Sequence, residues 1–323
     1  MKMTRQIKLI LILLVFSVQG CEQLDSETER DIEKAVEYFN SEEYEKALTY
    51  VEKLIEKDST NHISWALKGR ALFNIGKEEQ GIRAINKAID INPAYRKAYG
   101  FRAVMYSLTG KYEMSQILSD IDVALSEDSY NSELIKIKAN YLQISGQFEK
   151  AIDEYDKLLN IEPNNYDIIV LRASANRKLG NLDLALKEFN QAIEIDPAKS
   201  FAYEERATFF VEQQQFEKAI ADYNKSIETI SENKNFQVLK AYSLNNRGFA
   251  YFKFGENGKA LTDISHSLKL LSTNSYAYKN RAMVYLKNGE KDKGCADLEK
   301  ANDLGYTEQY GDEVEKLIDE NCR

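Results

Sequence analysis

One requirement recurs along the chain: a small side chain at the same helical register. Ala35, Gly69, Ala103, Ala139, Ala173, Ala207, Gly248 and Ala282 follow one another at intervals of 34 to 41 residues. Amphipathic helices alone do not produce such a series, because periodic burial is satisfied by any apolar residue. A small residue is needed where two helix backbones approach closely, with large neighbours filling the space around the contact. The chain is therefore expected to be a stack of similar helical hairpins.

The clearest unit is His62 to Tyr95, two amphipathic helices broken at Gly76. Trp65, Gly69, Leu72, Gly81, Ile85, Ala88 and Pro93 occupy positions 4, 8, 11, 20, 24, 27 and 32 of its 34 residues. This spacing resembles the tetratricopeptide repeat (TPR), a helix–turn–helix unit of that length. The resemblance covers Thr28 to Leu304 and implies an all-α, right-handed α-solenoid of about eight repeats within residues 28–305. The repeats run 28–61, 62–95, 96–131, 132–165, 166–199, 200–240, 241–274 and 275–304. Turn residues give one ruler: Gly76, Gly110, Gly146, Gly180, Gly255 and Gly289, with Gln214 in the remaining slot. Glycine there reaches the left-handed conformation that stops the first helix; Gln214 must adopt it too or use another turn. Pro93, Pro163 and Pro197 punctuate the ends of second helices. Two extra residues are expected near Ser115-Gln116-Ile117, and Asn233 to Leu239 is expected to lengthen the first helix of repeat seven.

Residues 306–323 are left over and read as a capping helix, since a terminal repeat would otherwise expose an apolar face. Val314, Leu317 and Ile318 form its apolar stripe, and Asp312 with Glu315 has the spacing of a capping box.

The other end reads as an address. Lys2, Arg5 and Lys8 precede the apolar run Leu9 to Phe16, the order of parts of a secretory signal within residues 1–20. That run is shorter than the roughly 20 residues of a membrane-spanning helix. Val18-Gln19-Gly20-Cys21 resembles the lipobox of bacterial lipoproteins, which implies lipidation at Cys21. Gln19 departs from the usual small or hydroxyl residue. Residues 21–27 would then be an acidic tether, and the chain a lipid-anchored protein of the bacterial cell envelope, periplasmic or surface-exposed, the outer membrane favoured.

A net charge of −9 argues against nucleic acid as a ligand. From Glu22 to Asn61 there are 13 acidic and 5 basic residues, a solvated face at the membrane-proximal end. Only two histidines and three cysteines are present, so no metal site or cofactor is expected. His266 lies between two serines on a helix, where neighbours point in different directions, and forms no dyad. No phosphate loop, nucleophile elbow or zinc spacing occurs, so no enzymatic activity is expected.

The family resemblance implies a concave groove lined by first helices, with positions 2, 5, 9, 12 and 13 facing it. In repeats seven and eight these are Tyr242, Asn245, Phe249, Phe252 and Lys253, then Tyr276, Lys279, Met283, Leu286 and Lys287. They read as an apolar floor edged by lysines. The middle of the stack offers Lys136, Asn140, Gln143 and Arg177. Lys136 with Asn140 matches two positions of the carboxylate clamp of some TPR adaptors, but the clamp's next asparagine slot holds Leu171. The expected partner is a protein or peptide in the groove, with the membrane contacted through the lipid anchor. Two other readings are a structural subunit of an envelope assembly or secretion complex that binds through edges and convex faces, and an accessory sugar- or peptidoglycan-binding subunit.

With Cys21 lipidated, Cys295 and Cys322 remain in a compartment where disulfides persist. Antiparallel neighbouring helices joined between Gly305 and Gly311 bring these two positions to similar heights, and a disulfide between them is expected.

Overall fold

The computed structural model describes residues 26–230 and 236–323. Every regular element among them is a helix, and they divide into two compact units meeting in sequence at Ile161 and Glu162. The first unit holds α1 (Ser26–Asn40), α2 (Tyr44–Lys57), α3 (His62–Asn74), α4 (Glu78–Ile91), α5 (Arg96–Thr109), α6 (Met114–Leu125), α7 (Ser132–Ile144) and α8 (Phe148–Ile161). The second holds α9 (Tyr166–Leu179), α10 (Leu182–Ile195), α11 (Ser200–Glu212), α12 (Phe216–Thr229), α13 (Gln237–Phe254), α14 (Asn257–Leu270), α15 (Ser275–Lys287), α16 (Lys291–Asp303), α17 (Tyr306–Tyr310) and α18 (Glu313–Asn321). Cys21, the leader and all but the last residues of the tether fall outside the described residues. No helix among the described residues is long and apolar enough to cross a membrane.

The small position is where the hairpins close. A Cβ built on Gly69 would lie 2.6 Å from Ile85 Cγ1 and 2.8 Å from the Gly81 carbonyl oxygen. The two glycines face one another across α3 and α4, so neither helix can accept a methyl group without parting. Alanine fills the same register elsewhere and is fully enclosed at Ala103, Ala139, Ala173, Ala207 and Ala282.

The turns repeat one hydrogen-bonded form. Gly76 takes φ +84°, and the following Lys77 amide donates back to the Leu72 carbonyl at 2.9 Å. Gln214 takes the glycine conformation at φ +57°, and Gln215 donates to Phe210 in the same way at 2.8 Å. Glu42 is a third member of the series at φ +60°, in the turn of the first hairpin. The hydrogen bonds of this helix-ending motif hold two side-chain-bearing residues in a backbone region they otherwise avoid.

The second boundary signal is asparagine. Asn61, Asn131, Asn165 and Asn274 each sit immediately before a first helix and accept from the amide three residues on, at 3.0 to 3.2 Å. This N-cap satisfies one of the donors a helix start leaves open.

A charged ladder ties the hairpins together. In six repeats a cation at position 7 of the repeat meets a carboxylate on the second helix 16 residues on, or 18 in the third repeat: Arg102–Asp120, Lys138–Glu154, Arg172–Glu188, Arg206–Asp222, Arg247–Asp263 and Arg281–Asp297, at 2.6 to 3.1 Å. Arg102, Arg206 and Arg247 also donate to Asn86, Asn190 and Asn224 of the preceding second helix. One guanidinium therefore bonds two helices beyond its own, which suits its forked geometry. In the first repeat the carboxylate is replaced by Tyr50, over which Lys34 lies at 5.9 Å.

Three local expectations change. The extra residues of the third repeat lie in the turn Lys111–Glu113, before α6 begins, and Tyr112 there stacks on Tyr106 at 3.7 Å. The lengthened helix α13 begins at Gln237, so 237–239 belong to it, whereas 233–235 are outside the described residues. The C-terminal segment is two helices, and Asp312 stands at the N-cap of α18 without a side-chain cap hydrogen bond, its carboxylate pairing instead with Lys316 at 2.9 Å. The apolar stripe covers the last repeat: Val314 is fully buried and Leu317 and Ile318 pack with it against Ala282, Leu298 and Ala301.

Candidate functional site

Within each unit, first helices of successive repeats touch one another: α1 with α3, α3 with α5 and α5 with α7, then α9 with α11, α11 with α13 and α13 with α15. Second helices make no comparable contacts among the described residues. The first helices therefore lie on the tighter, concave side of each unit.

On the concave face of the first unit, Lys136 is exposed. Asn140 and Gln143 are committed to Tyr155, whose hydroxyl donates to Gln143 Oε1 at 2.8 Å and lies 3.2 Å from Asn140 Oδ1. Nearby Arg70 is buried between two rings, its guanidinium carbon 4.0 Å from the Phe39 centroid and 4.4 Å from that of Phe101. Burial holds its pKa down to about 10. Burial also pushes the Glu133 carboxyl up to about 7, against the opposing pull of Lys136 and Arg70.

In the second unit several expected groove residues turn out to be internal. Arg177 is buried and forms ion pairs with Glu205 at 3.4 Å and with Glu212 of α11. Asn245 is buried and accepts from Asn280 at 3.1 Å. Lys279 is buried beneath the C-terminal segment, with Nζ 3.1 Å from Glu313 Oε2. Burial lowers its pKa, and the neighbouring Lys253 charge adds to the effect while Glu313 opposes it. Leu286 fills the space that Gly294 leaves, 2.7 Å from where a Cβ would stand, and so packs on α16. Phe252 is partly buried against the core formed by Ala260, Ile264 and Val284.

What stays accessible on this face is a shorter set. Tyr242 is 42% exposed, and Lys253 and Lys287 are exposed. Phe249 and Met283 are partly exposed. Lys253 Nζ lies over the Phe249 ring at 5.2 Å and the Phe252 ring at 5.9 Å. Such a cation over ring faces is attracted by their quadrupoles and keeps its outer side toward solvent. His266 is exposed on α14. Among the described residues no three His, Cys, Asp or Glu side chains gather as a metal would need.

Sequence reasoning missed the hub around Glu204. Its carboxylate accepts from Ser243 at 2.8 Å, Ser226 at 2.9 Å and Asn246 at 3.0 Å, joining α11 to α12 and α13. Burial raises its pKa and these hydrogen bonds oppose the rise.

A family model described as tetratricopeptide repeat matches residues 63–95, 137–165 and 166–199. These three segments are tetratricopeptide repeats. Over 79 residues it is 39% identical to a TPR repeat-containing protein of Methanocaldococcus jannaschii, a match covering 24% of this chain and 14% of that protein's length. A tetratricopeptide repeat protein from Parabacteroides merdae is similar in structure, with a TM-score of 0.68, 20% identity and coverage of 80% of this chain and 98% of that one. A chain of the APC/C hetero-tetramer Cut9–Hcn1 gives 0.62 at 16% identity, covering 93% of this chain and 57% of that one. YrrB, a TPR protein with an unusual peptide-binding site, gives 0.50 at 20% identity, covering 55% and 91%. These likenesses establish the fold.

The tetratricopeptide pattern accounts for the hairpins and for which helices are concave. It does not account for the aromatic and lysine side chains left open on the concave face of the second unit.

The sulfur atoms of Cys295 on α16 and Cys322 after α18 are bonded, with the Cα atoms 5.6 Å apart. The bond fastens the C-terminal segment beside Lys279 and Glu313.

Proposed function

We propose that the chain is a membrane-anchored, extracytoplasmic scaffold that holds another protein or peptide along its concave face. The observation that carries this reading is the open set Tyr242, Phe249, Lys253, Met283 and Lys287 on α13 and α15, which internal packing leaves available. Aromatic and long side chains of this kind supply contact area and a charge anchor at protein interfaces. The peptide-binding site of YrrB and the Cut9–Hcn1 assembly are consistent with such a use of the fold. The anchor rests on the lipobox-like residues ending at Cys21.

A second reading, an envelope-complex subunit that binds through edges, draws support from Phe236, Val238 and Leu239. These are 43%, 47% and 39% exposed at the start of α13. The two readings part in one experiment. Membrane-tethered bait is used to isolate partners, and each partner identified is then tested against Phe249→Ala and Val238→Asp. Loss of a partner with Phe249→Ala alone supports the concave face; loss with Val238→Asp alone supports the edge. Cys21→Ser is expected to move the protein into the soluble fraction, and a variant that stays with the membrane contradicts the anchor.

A further inference from the structure

A cap at the end of a helical stack is needed to cover an apolar surface. The C-terminal segment of this chain does so at α18, where Val314, Leu317 and Ile318 pack on Ala282, Leu298 and Ala301. Its earlier part closes over polar groups of α15 instead. Tyr306 and Tyr310 lie against the Tyr276 ring at 5.8 and 5.4 Å, and Lys279 Nζ stands 4.7 Å from the Tyr276 centroid and 5.9 Å from that of Tyr306. The Lys279 side chain is 4% exposed, whereas its partner Glu313, 3.1 Å away, is 52% exposed. The charged ladder has the opposite order, the aspartate being the more enclosed member of each arginine pair. The seated segment thus strips water from an ammonium and returns a carboxylate that is half in solvent. An ammonium is strongly hydrated, and such a carboxylate offsets the cost of enclosing it only in part. Burial lowers the pKa of Lys279 for the same reason.

Non-covalent packing holds the segment weakly. Of residues 306–323, Tyr306 and Val314 are the buried ones. α17 has five residues and α18 nine, both below the length at which a helix is stable without packing. The covalent hold is the bond from Cys322 to Cys295 on α16, with a sequence separation of 27. Closing a loop of that length favours the seated over the released segment by roughly 300-fold. Both cysteines are partly exposed, so an attacking thiolate can reach the bond.

We propose that the Cys295–Cys322 disulfide is a redox latch, whose reduction releases residues 306–323 from the last repeat and bares Tyr276 and Lys279. The reductant is a dithiol oxidoreductase. One of its thiolates attacks a sulfur of the bond and forms a mixed disulfide, and its second thiolate resolves this. The reductant leaves as a disulfide, two electrons pass to the pair, and Cys295 and Cys322 each take up a proton. Exchange with an oxidised protein of the same class closes the latch again. In the released state Lys279 regains water, and α15 presents Tyr276 and Lys279 beside Met283 and Lys287. That this changes partner binding rests on the concave face being the binding face; the release itself does not.

The test uses the full chain, dithiothreitol as the dithiol, and a water-soluble N-hydroxysuccinimide acetate ester as the probe of lysine access, read residue by residue by mass spectrometry. Without denaturant, dithiothreitol is expected to yield two thiols from this pair. It is expected to speed acetylation of Lys279 by at least about tenfold and to leave exposed Lys300 of α16 unchanged. Cys322→Ser is expected to show the fast rate with or without dithiothreitol. Deuterium exchange is expected to rise in α17 and α18 and to stay slow in α15. Slow acetylation of Lys279 in the fully reduced protein overturns the latch and leaves the bond a static brace. A disulfide that dithiothreitol reaches only in denaturant overturns it too. Loss of protection throughout α15 and α16 also overturns it, because the last repeat then unfolds as a whole. None of these readouts involves a partner, so the latch can fail while the concave-face reading stands, and Phe249→Ala decides that reading separately.

Discussion

Arg247 holds Asp263 side-on, Nε to Oδ2 at 2.6 Å and Nη2 to Oδ1 at 2.8 Å, while its remaining nitrogen reaches Asn224 at 2.8 Å. The pair is largely shielded, with the arginine side chain 20% and the aspartate 10% exposed. Removing the acid leaves a guanidinium without its main partner. Asp263→Ala is expected to destabilise the second unit by about 2–3 kcal/mol in urea unfolding. The double change Arg247→Met with Asp263→Leu is expected to recover most of that loss, because an apolar pair of similar volume has no desolvated charge to satisfy. An Asp263→Ala effect below about 0.5 kcal/mol would show the ladder to be surface decoration.

Gln214 offers a test of the turns. At φ +57° its side chain gains nothing that glycine would lose, so Gln214→Gly is expected to stabilise the fold by about 0.5–1 kcal/mol. Gly76→Ala is expected to cost about 1 kcal/mol, purely through the backbone, since nothing lies within 4 Å of where its Cβ would stand. Denaturant midpoints measure both, and opposite signs would contradict the shared left-handed turn.

How far these features were legible in the sequence differs by kind. The small register and the turn glycines are strictly periodic and local, so Gly69 and Gly76 could be read directly. The ladder is periodic too, but its partners stand 16 residues apart in most repeats, beyond the neighbour spacings by which helical charge pairs are usually recognised. Asn61, Asn131 and Asn165 were visible as repeat ends, and their capping role needs only the amide three residues on. Arg177 was misplaced because its partners, Glu205 and Glu212, belong to the following repeat. Lys279 was misplaced because the C-terminal segment reaches across the first helix of the last repeat, which no local pattern announces.

The Cys295–Cys322 bond closes a loop with a sequence separation of 27, and in the chain-entropy model its loss costs about 3.5 kcal/mol. Cys322→Ser is expected to expose α17 and α18 to early proteolysis while the remaining repeats stay protected. Thiol titration of the unfolded, unreduced protein checks the bond itself: two free thiols from this pair would contradict it.

Glu133 makes stability pH-dependent in a defined direction. Its folded-state pKa stands at about 7 against an ordinary value of 4.5, raised by burial. Between those values the folded state binds more protons than the unfolded chain, so its contribution weakens as pH rises from about 4.5 through about 7. Glu133→Gln is expected to flatten this part of the profile and to raise stability at pH 8. An unchanged profile in thermal melts across that range would contradict the burial of its charge.

Site-specific photocrosslinking tests the central claim most directly. A benzophenone side chain is placed at Phe249 on the concave face or at His266, exposed on the second helix α14, and both proteins are irradiated in their native cells. The account predicts a discrete partner adduct from position 249 and none from position 266. The same adduct from 266 alone would contradict a concave binding face.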